Sequence, residues 1–495
     1  MGDIRKQGIA SSIFIYIGIA IGFVNVILLY PYIVGENILG FTRAVDEYTA
    51  LFLLLGGFGT SLTTIRFFPH FRDKDEQHFG FLGFLFWVRT AGLLLSIVLI
   101  FLLKSTILSQ IENPTTLHYI ASYYFLIPIM LALSTYAEML EFYAIGLMRP
   151  RVPVFFREIV VRLSTTFFLG LFYFGWIDER QFIYLFAIRF LTVLLGLLFF
   201  LWSIRELFFK SGFEVFKTPL FKKMANYSLY SLFSNLGSKI SGKIDILMLT
   251  AMVNLKAVAI YVVMAYIARV VQVPHEGVAK IASPVFAQAW KDRDLEQIKA
   301  YYKSMALNNF AFGLIIYIGI IANFNNIFTI LKPEYIDGKM VILFLGLSQL
   351  ISVVNGYNGL VIIHSSKYRF DLYSKLITAV IAIISNYFLI RTYGLVGAAA
   401  ATALTLVVAN LVIQVFVYFH FKILPFSWEM LSVIVIGIIT YLVGENMPSL
   451  HSHWVVDFIF RSIILCVIFF GGLLLTKATP EINQFIRNFQ KKSPE

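Results

Sequence analysis

Runs of roughly 20 apolar residues, the length a helix needs to cross the hydrocarbon core of a bilayer, recur along the whole chain. They predict helices near 9–30, 44–65, 79–103, 117–145, 153–176 and 181–204, then near 224–250, 257–286, 305–330, 338–362, 371–391 and 395–421, and a last pair near 426–444 and 455–476. Polar residues gather in short connections, the most basic of which holds Arg205, Lys210, Lys217, Lys222 and Lys223. About 14 transmembrane helices leave no stretch for a folded extramembrane domain, the longest outer loops being near 104–116 and 445–454. The expected class is an all-α polytopic membrane protein. The N-terminus enters its first apolar run with no small-residue cleavage pattern, so that run is expected to be retained. Lys6 stands where a myristoylation signal carries Ser or Thr, which argues against acylation.

The chain repeats itself. Phe71-Arg72-Asp73-Lys74-Asp75 follows the second span and Trp290-Lys291-Asp292-Arg293-Asp294 the eighth; Phe174-Gly175-Trp176 and Tyr393-Gly394-Leu395 open the sixth and twelfth. Both pairs share an offset of 219 residues. Six spans separate the copies, so both have one orientation and the repeat is parallel. The expected layout is an N-lobe over 1–210, a cytoplasmic linker over 211–223, a C-lobe over 224–422, two added helices over 423–477 and a cytoplasmic tail over 478–495. With both termini cytoplasmic, the inner segments hold 23 Lys and Arg against seven outside, a positive-inside pattern.

Composition agrees. The chain is 59% hydrophobic and 14% charged, against roughly 45–50% and 25% in soluble domains. The net charge of +12 lies in short inter-span segments, where it sets topology, so nucleic acid is discounted as a partner. A single Cys466 permits no internal disulfide and no Cys metal site. His451 and His453 lack nearby ligand-type neighbours, and no catalytic triad or phosphate loop stands at mechanistic spacing. No enzyme, metal or cofactor is expected.

Ile390-Arg391-Thr392-Tyr393-Gly394-Leu395-Val396-Gly397-Ala398-Ala399-Ala400-Ala401-Thr402 resembles the start of the twelfth helix in the polysaccharide/oligosaccharide flippases of the MOP exporter superfamily, the group that includes O-antigen and capsule repeat-unit flippases. Lys243-Ile244-Asp245-Ile246-Leu247-Met248-Leu249, followed by Ala259-Ile260-Tyr261, is similar to their seventh and eighth helices, with Ala259 where the family has Gly. Glu334-Tyr335, Gly356-Tyr357 and the segment from Lys291 to Lys303, which reads as an amphipathic cytoplasmic connector, also fall where the family has similar features. The small residues of Gly397–Ala401 suit close helix packing.

Basic residues cost roughly 2.5–3.5 kcal/mol each at the bilayer centre if they face lipid. Arg89, Lys239 and Arg269 lie near the middle of spans three, seven and eight, so they should face an internal polar cavity. Fixed cations in a low-dielectric cavity suit an anion such as a diphosphate. The resemblance implies a cationic cavity between two lobes, lined by helices one, two, seven and eight, that holds the diphosphate-sugar head of a polyprenyl carrier. Lys239 and Arg269 are then the expected contacts, with Arg89 behind them; the alternative, strongest for Arg89, is that internal acids neutralise these cations. Spans one and two lack the midplane cation of the peptidoglycan-precursor flippases, which counts against lipid II.

Glu138 and Glu141, three apart on one face of span four, lie at the depth of Arg157 and Arg162 on span five. They form either an ion-pair cluster or a protonatable site that couples transport to an ion gradient. Asp457 and Arg461, four apart, read as a local pair, and Pro274 as a possible hinge in span eight. The expected protein is a monomeric flippase of the bacterial plasma (inner) membrane. It would move polyprenyl-diphosphate-linked repeat units to the outer leaflet by alternating access, for O-antigen or other surface polysaccharide, alongside glycosyltransferases and a polysaccharide polymerase. The rivals are a cation-coupled multidrug or toxin antiporter, which needs acids facing cationic drugs, and a lipid II flippase; this cavity is expected to be net basic.

Overall fold

The computed structural model describes residues 2–72, 77–208, 210–367, 369–450 and 453–479, and every regular element among these is a helix. Asp73, Lys74 and Asp75 of the repeat, His451, and residues 480–495 lie outside the described residues, as do the side chains of Arg5 and Lys6.

Contacts divide the chain into two units, residues 1–263 and 264–495. This division follows packing rather than repetition, so the lobe boundary at 211–223 stays an expectation. The first unit opens with α1 (Gly2–Phe23), a π-helical stretch Val24–Leu29 and α2 (Tyr30–Ile33). Next come α3 (Gly35–Gly57) and α4 (Thr60–Phe67), the two halves of one span bent by 48°. Phe58 (φ 46°) and Gly59 (φ 66°) both adopt the left-handed conformation at the bend, which ends one helix and starts another. The remaining helices are α5 (Phe81–Ser109), α6 (Pro114–Ser122), α7 (Leu126–Gly146), α8 (Arg151–Phe155), a π-helical stretch Phe156–Val160, α9 (Val161–Tyr173), α10 (Glu179–Ile188), α11 (Phe190–Ser203), α12 (Phe213–Phe216), α13 (Leu220–Met252) and the start of α14 (Leu255–Arg269). Their starts are written locally: Asn113 caps α6 through the Thr116 N–H at 3.0 Å, and Asp178 with Gln181 closes a capping box on α10.

Small residues set the packing distances, as expected where lipid supplies no hydrophobic drive between helices. A Cβ on Gly40 would lie 1.9 Å from the Leu255 carbonyl, and one on Gly92 would lie 2.4 Å from that of Gly56. At one end an aromatic cluster of Phe68, Phe71, Phe81, Phe84 and Tyr143 closes the core; the Phe68 ring lies 5.2 Å from those of Phe81 and Tyr143.

The second unit continues through a 3-10 turn, Val270–Gln272, into α15 (Val273–Lys291), with Pro274 in its first turn, where a missing N–H costs nothing. Then follow α16 (Leu295–Ala322), α17 (Phe324–Ile330), α18 (Lys339–Asn355), α19 (Asn358–His364), α20 (Phe370–Phe421), α21 (Glu429–Asn446) and α22 (Trp454–Thr476). The connector expected from Lys291 to Lys303 is corrected: α15 ends at Lys291 and α16 begins at Leu295, capped by Asp294, with only a tight turn through Arg293 (φ 56°) between them. Asp457 and Arg461 pair as expected at 2.8 Å. The pair is buried and stitches α21 to α22, because Arg461 also donates to the Gly444 and Met447 carbonyls, while Asp457 accepts from Asn326 and the Leu450 N–H.

Among the described residues, ten helices are long and apolar enough to cross a membrane, or eleven if the bent pair α3–α4 is one span. The 52 residues of α20 would run about 78 Å as one helix, far more than a bilayer; Gly394 (φ 53°, ψ −125°) breaks them in the middle. Gly175, its partner in the repeat, is also left-handed (φ 70°). The helices at 151–173 and 220–252 occupy the fifth and seventh expected spans but are not apolar and charge-poor enough together to count by composition. The chain is therefore a multi-pass helical membrane protein with about ten spans established on those criteria.

Candidate functional site

A cavity within the first unit holds about 670 Å³, the size of a small-molecule site. Its walls come from α3 and α4 at their bend, α7, the π-helical stretch with Arg157, the junction of α10 and α11 at Arg189, and α13. The bend matters here: Gly57, Gly59, Ser61 and Leu62 all line the cavity, and Ser228 fixes the bend by a 2.7 Å hydrogen bond to Thr63.

Eight charged residues line it. The acids are Asp46, Glu47, Glu138 and Glu141, and the bases Arg157, Arg189, Lys239 and Lys243. The lining itself is therefore balanced, which corrects the expectation of a net basic wall. Every acid is engaged: Glu141 with Arg157 at 2.8 Å, Glu47 with Lys243 at 2.6 Å, Asp46 with Arg189, and Glu138 with Arg89 at 3.0 Å. Arg89, and Arg43 at 4.0 Å from Asp46, are cations outside the lining that pair with its acids. Lys239 is the one charged lining residue with no ion pair among the described residues. Thr49 Oγ1 and Ser134 Oγ, on residues that also line the cavity, are buried without a hydrogen-bond partner.

The residues singled out from sequence fall in different places. Lys239 lines the cavity as expected. Arg89 does not: it is 1% exposed and lies behind the wall. Its guanidinium is committed to Thr60 Oγ1 (3.0 Å), Ser61 Oγ (2.8 Å), the Thr135 carbonyl (3.0 Å) and Glu138 (3.0 Å), so it braces the bend in place of facing a ligand. Glu138 and Glu141 share the cavity with Arg157, but Arg162 turns away to Glu158 at 2.7 Å. There it packs against Gly18 and Gly22 of α1. Arg269 belongs to the second unit, where its exposed guanidinium pairs with Glu276 at 3.1 Å. Asp46, Glu47, Arg189 and Lys243 were not anticipated as site residues. No cluster of metal-ligating side chains occurs among the described residues.

Residues 4–290, more than half of the chain, match the family described as polysaccharide biosynthesis protein. Among solved structures, the lipid II flippase MurJ in an inward closed conformation is similar at a TM-score of 0.71 and 13% identity, covering 94% of this chain and all of that one. An inward-facing multidrug resistance MATE family transporter of the MOP superfamily gives a TM-score of 0.58 at 15% identity, over 83% of this chain and 94% of that one. A MATE in complex with MaL6 gives 0.54 at 13% identity, over 85% and 96%. At such identities the likeness establishes a common fold. No curated protein matches the sequence.

Proposed function

Since this chain belongs to the polysaccharide biosynthesis protein family, we propose that it is a flippase that carries polyprenyl-diphosphate-linked oligosaccharide across the bacterial inner membrane by alternating access, with both termini cytoplasmic. The observation that supports this reading most is the charge arrangement of the cavity. All four carboxylates are engaged, and Lys239 is the one lining charge with no ion pair among the described residues. Such a cavity attracts an anionic head group and offers a cationic drug no free carboxylate, which disfavours the antiporter reading. Moving two negative charges outward across about 100 mV, inside negative, gains roughly 4–5 kcal/mol, so an ion gradient is optional. Glu138 and Glu141 are where a coupling cation would act, and Pro274, just beyond the 3-10 break, is where span eight would bend. Arg269 would serve as a second head-group contact only after release from Glu276. A lipid II flippase uses the same anion chemistry, and a panel of glycan heads separates the two.

The test is reconstitution in liposomes with a fluorescent polyprenyl-diphosphate oligosaccharide, reading accessibility of the sugar to an external probe. Lys239→Ala should lower transport at least about tenfold, the worth of a charge-assisted contact of 1.5–3 kcal/mol, with Lys239→Arg retaining part of it. Efflux of cationic dyes by wild type, with no transport of any glycan-lipid, would overturn the reading.

A further inference from the structure

Asn235, Lys239 and Lys243 recur every fourth residue along α13 and all line the cavity, so one helix face presents an amide and two ammonium groups in a row. The two lysine backbones are about 6 Å apart along the axis, and flexible four-carbon arms let both reach adjoining phosphoryl groups. Lys239 is unpaired; Lys243 donates to Glu47, 196 residues away on α3, at 2.6 Å. Glu47, Lys239 and Lys243 also border a narrow cleft, otherwise lined by Ala50, Leu51, Ile240, Ile244 and Leu247. Charged groups thus border an apolar slot. That is the layout an isoprenyl diphosphate requires, with a polyanion joined directly to a hydrocarbon chain.

We infer that Glu47 is a built-in stand-in for substrate: its carboxylate occupies, on Lys243, the place that one phosphoryl group of an isoprenyl diphosphate takes, and Lys239 and Lys243 together form a two-lysine site. This deepens the reading of the cavity as a head-group site and rests on it. The other lining acids are held elsewhere. Asp46 and Glu138 are paired with arginines whose side chains are 6% and 1% exposed, and neither arginine borders the apolar cleft. The Arg157 side chain is 56% exposed, but Arg157 does not border the apolar cleft. Lys243 is 45% exposed and lines the cavity, so a phosphoryl oxygen can approach its ammonium.

The stand-in also links binding to motion. The cleft holds only about 20 Å³, the room of one water, so a hydrocarbon chain enters it only if α3 and α13 part. The Glu47–Lys243 pair crosses between those two helices at the cleft. Displacing Glu47 from Lys243 therefore releases a clamp at the place where the isoprenyl chain must pass. A ligand lacking the second phosphoryl group leaves the clamp closed.

The experiment is calorimetric titration of the full chain in detergent with farnesyl diphosphate, using farnesyl monophosphate for comparison. Wild type should bind the diphosphate more tightly than the monophosphate, and Glu47→Gln should tighten diphosphate binding about fivefold, the release of an ion pair worth near 1 kcal/mol. Lys243→Ala should weaken the diphosphate about tenfold, Lys243→Arg should restore most of it, and Glu47→Gln should have no effect in the Lys243→Ala background. Glu141→Gln serves as the control for a general electrostatic effect. Equal tightening by Glu141→Gln, or by Glu47→Gln without Lys243, would overturn the assignment. Displacement of the probe by phosphatidylglycerol with the same variant pattern would hand the site to bulk anionic lipid and overturn it likewise. Should diphosphate binding follow the expected pattern while glycan-lipid transport is absent, the two-lysine site stands and the flippase reading falls. Should transport occur while Glu47→Gln binds diphosphate like wild type, the flippase reading stands and the two-lysine site falls.

Discussion

The pair of Arg89 and Glu138 makes an asymmetric prediction about stability. Arg89 has 1% of its side chain exposed and Glu138 has 22%. In Glu138→Gln the guanidinium keeps Thr60, Ser61 and the Thr135 carbonyl but loses its only counter-charge at 3.0 Å. Arginine stays protonated in proteins, so a full charge is left in the wall, a loss of about 3–5 kcal/mol. In Arg89→Met the orphan is Glu138, which borders the cavity and can take up water or a proton, so the charge term shrinks to about 1–3 kcal/mol. The double variant removes both charges and should be about as stable as Arg89→Met, so the coupling energy is close to the whole loss of Glu138→Gln, about 3–5 kcal/mol. The assay is the thermal midpoint of the purified protein in one detergent, ranked across wild type, both singles and the double by fluorescence-detected size exclusion. Expected from most to least stable are wild type, the double variant close to Arg89→Met, then Glu138→Gln. Glu138→Gln indistinguishable from wild type, or additive losses in the double, would refute the claim that Glu138 is the neutralising partner.

Three further outcomes follow from local geometry, each read as a thermal midpoint. Gly394→Ala places a side chain in a φ 53°, ψ −125° conformation with no heavy atom within 4 Å of the new Cβ, so its loss should be about 1–3 kcal/mol and purely conformational; a loss rescued by trimming neighbours would contradict this. Gly40→Ala has its Cβ 1.9 Å from the Leu255 carbonyl, forces α3 and α14 apart and should cost more than the roughly 1–3 kcal/mol of ordinary overpacking; wild-type stability would mean the close approach is absent. Asp457→Asn leaves Arg461, whose side chain is 9% exposed, without a counter-ion and should cost about 3 kcal/mol, with Asp457→Glu retaining part of the stability; a neutral Asp457→Asn would show that the backbone carbonyls alone hold the guanidinium.

The helices were legible because a bilayer demands long apolar runs, and helices lie close to the stretches that hydropathy marked, with the break at Gly394 between the eleventh and twelfth. The break at Phe58–Gly59 was not, since the run Leu53–Phe58 stays apolar through it and the left-handed turn is imposed by close contact with Ser228 and Gly92. Hydropathy also misjudged depth. A span starting near 44 leaves Asp46 and Glu47 at the surface, but α3 starts at Gly35, which carries both about 16 Å into the helix. Their partners Arg189 and Lys243 stayed unrecognised for the same reason.

Charge placement divides along a similar line. A midspan Lys239 and the i,i+3 pair Glu138 and Glu141 could be read directly, because spacing along one helix fixes both depth and face. Counting depth alone matched Glu141 to Arg157 correctly and to Arg162 wrongly: five residues on, Arg162 is rotated about 140° around the helix, and the π-helical stretch Phe156–Val160 shifts the register again. Arg89 shows the remaining limit. Its sequence position says only that a cation lies at midspan, and a cation there is stabilised equally well by facing a wet cavity or by four hydrogen bonds inside a wall. Which solution the chain adopts depends on Thr60, Ser61, Thr135 and Glu138 converging from two other helices, and no pattern along span three encodes that convergence. That Lys239 is left without an ion pair is likewise a property of the four pairings taken together, and it emerges only once each acid has been assigned its base.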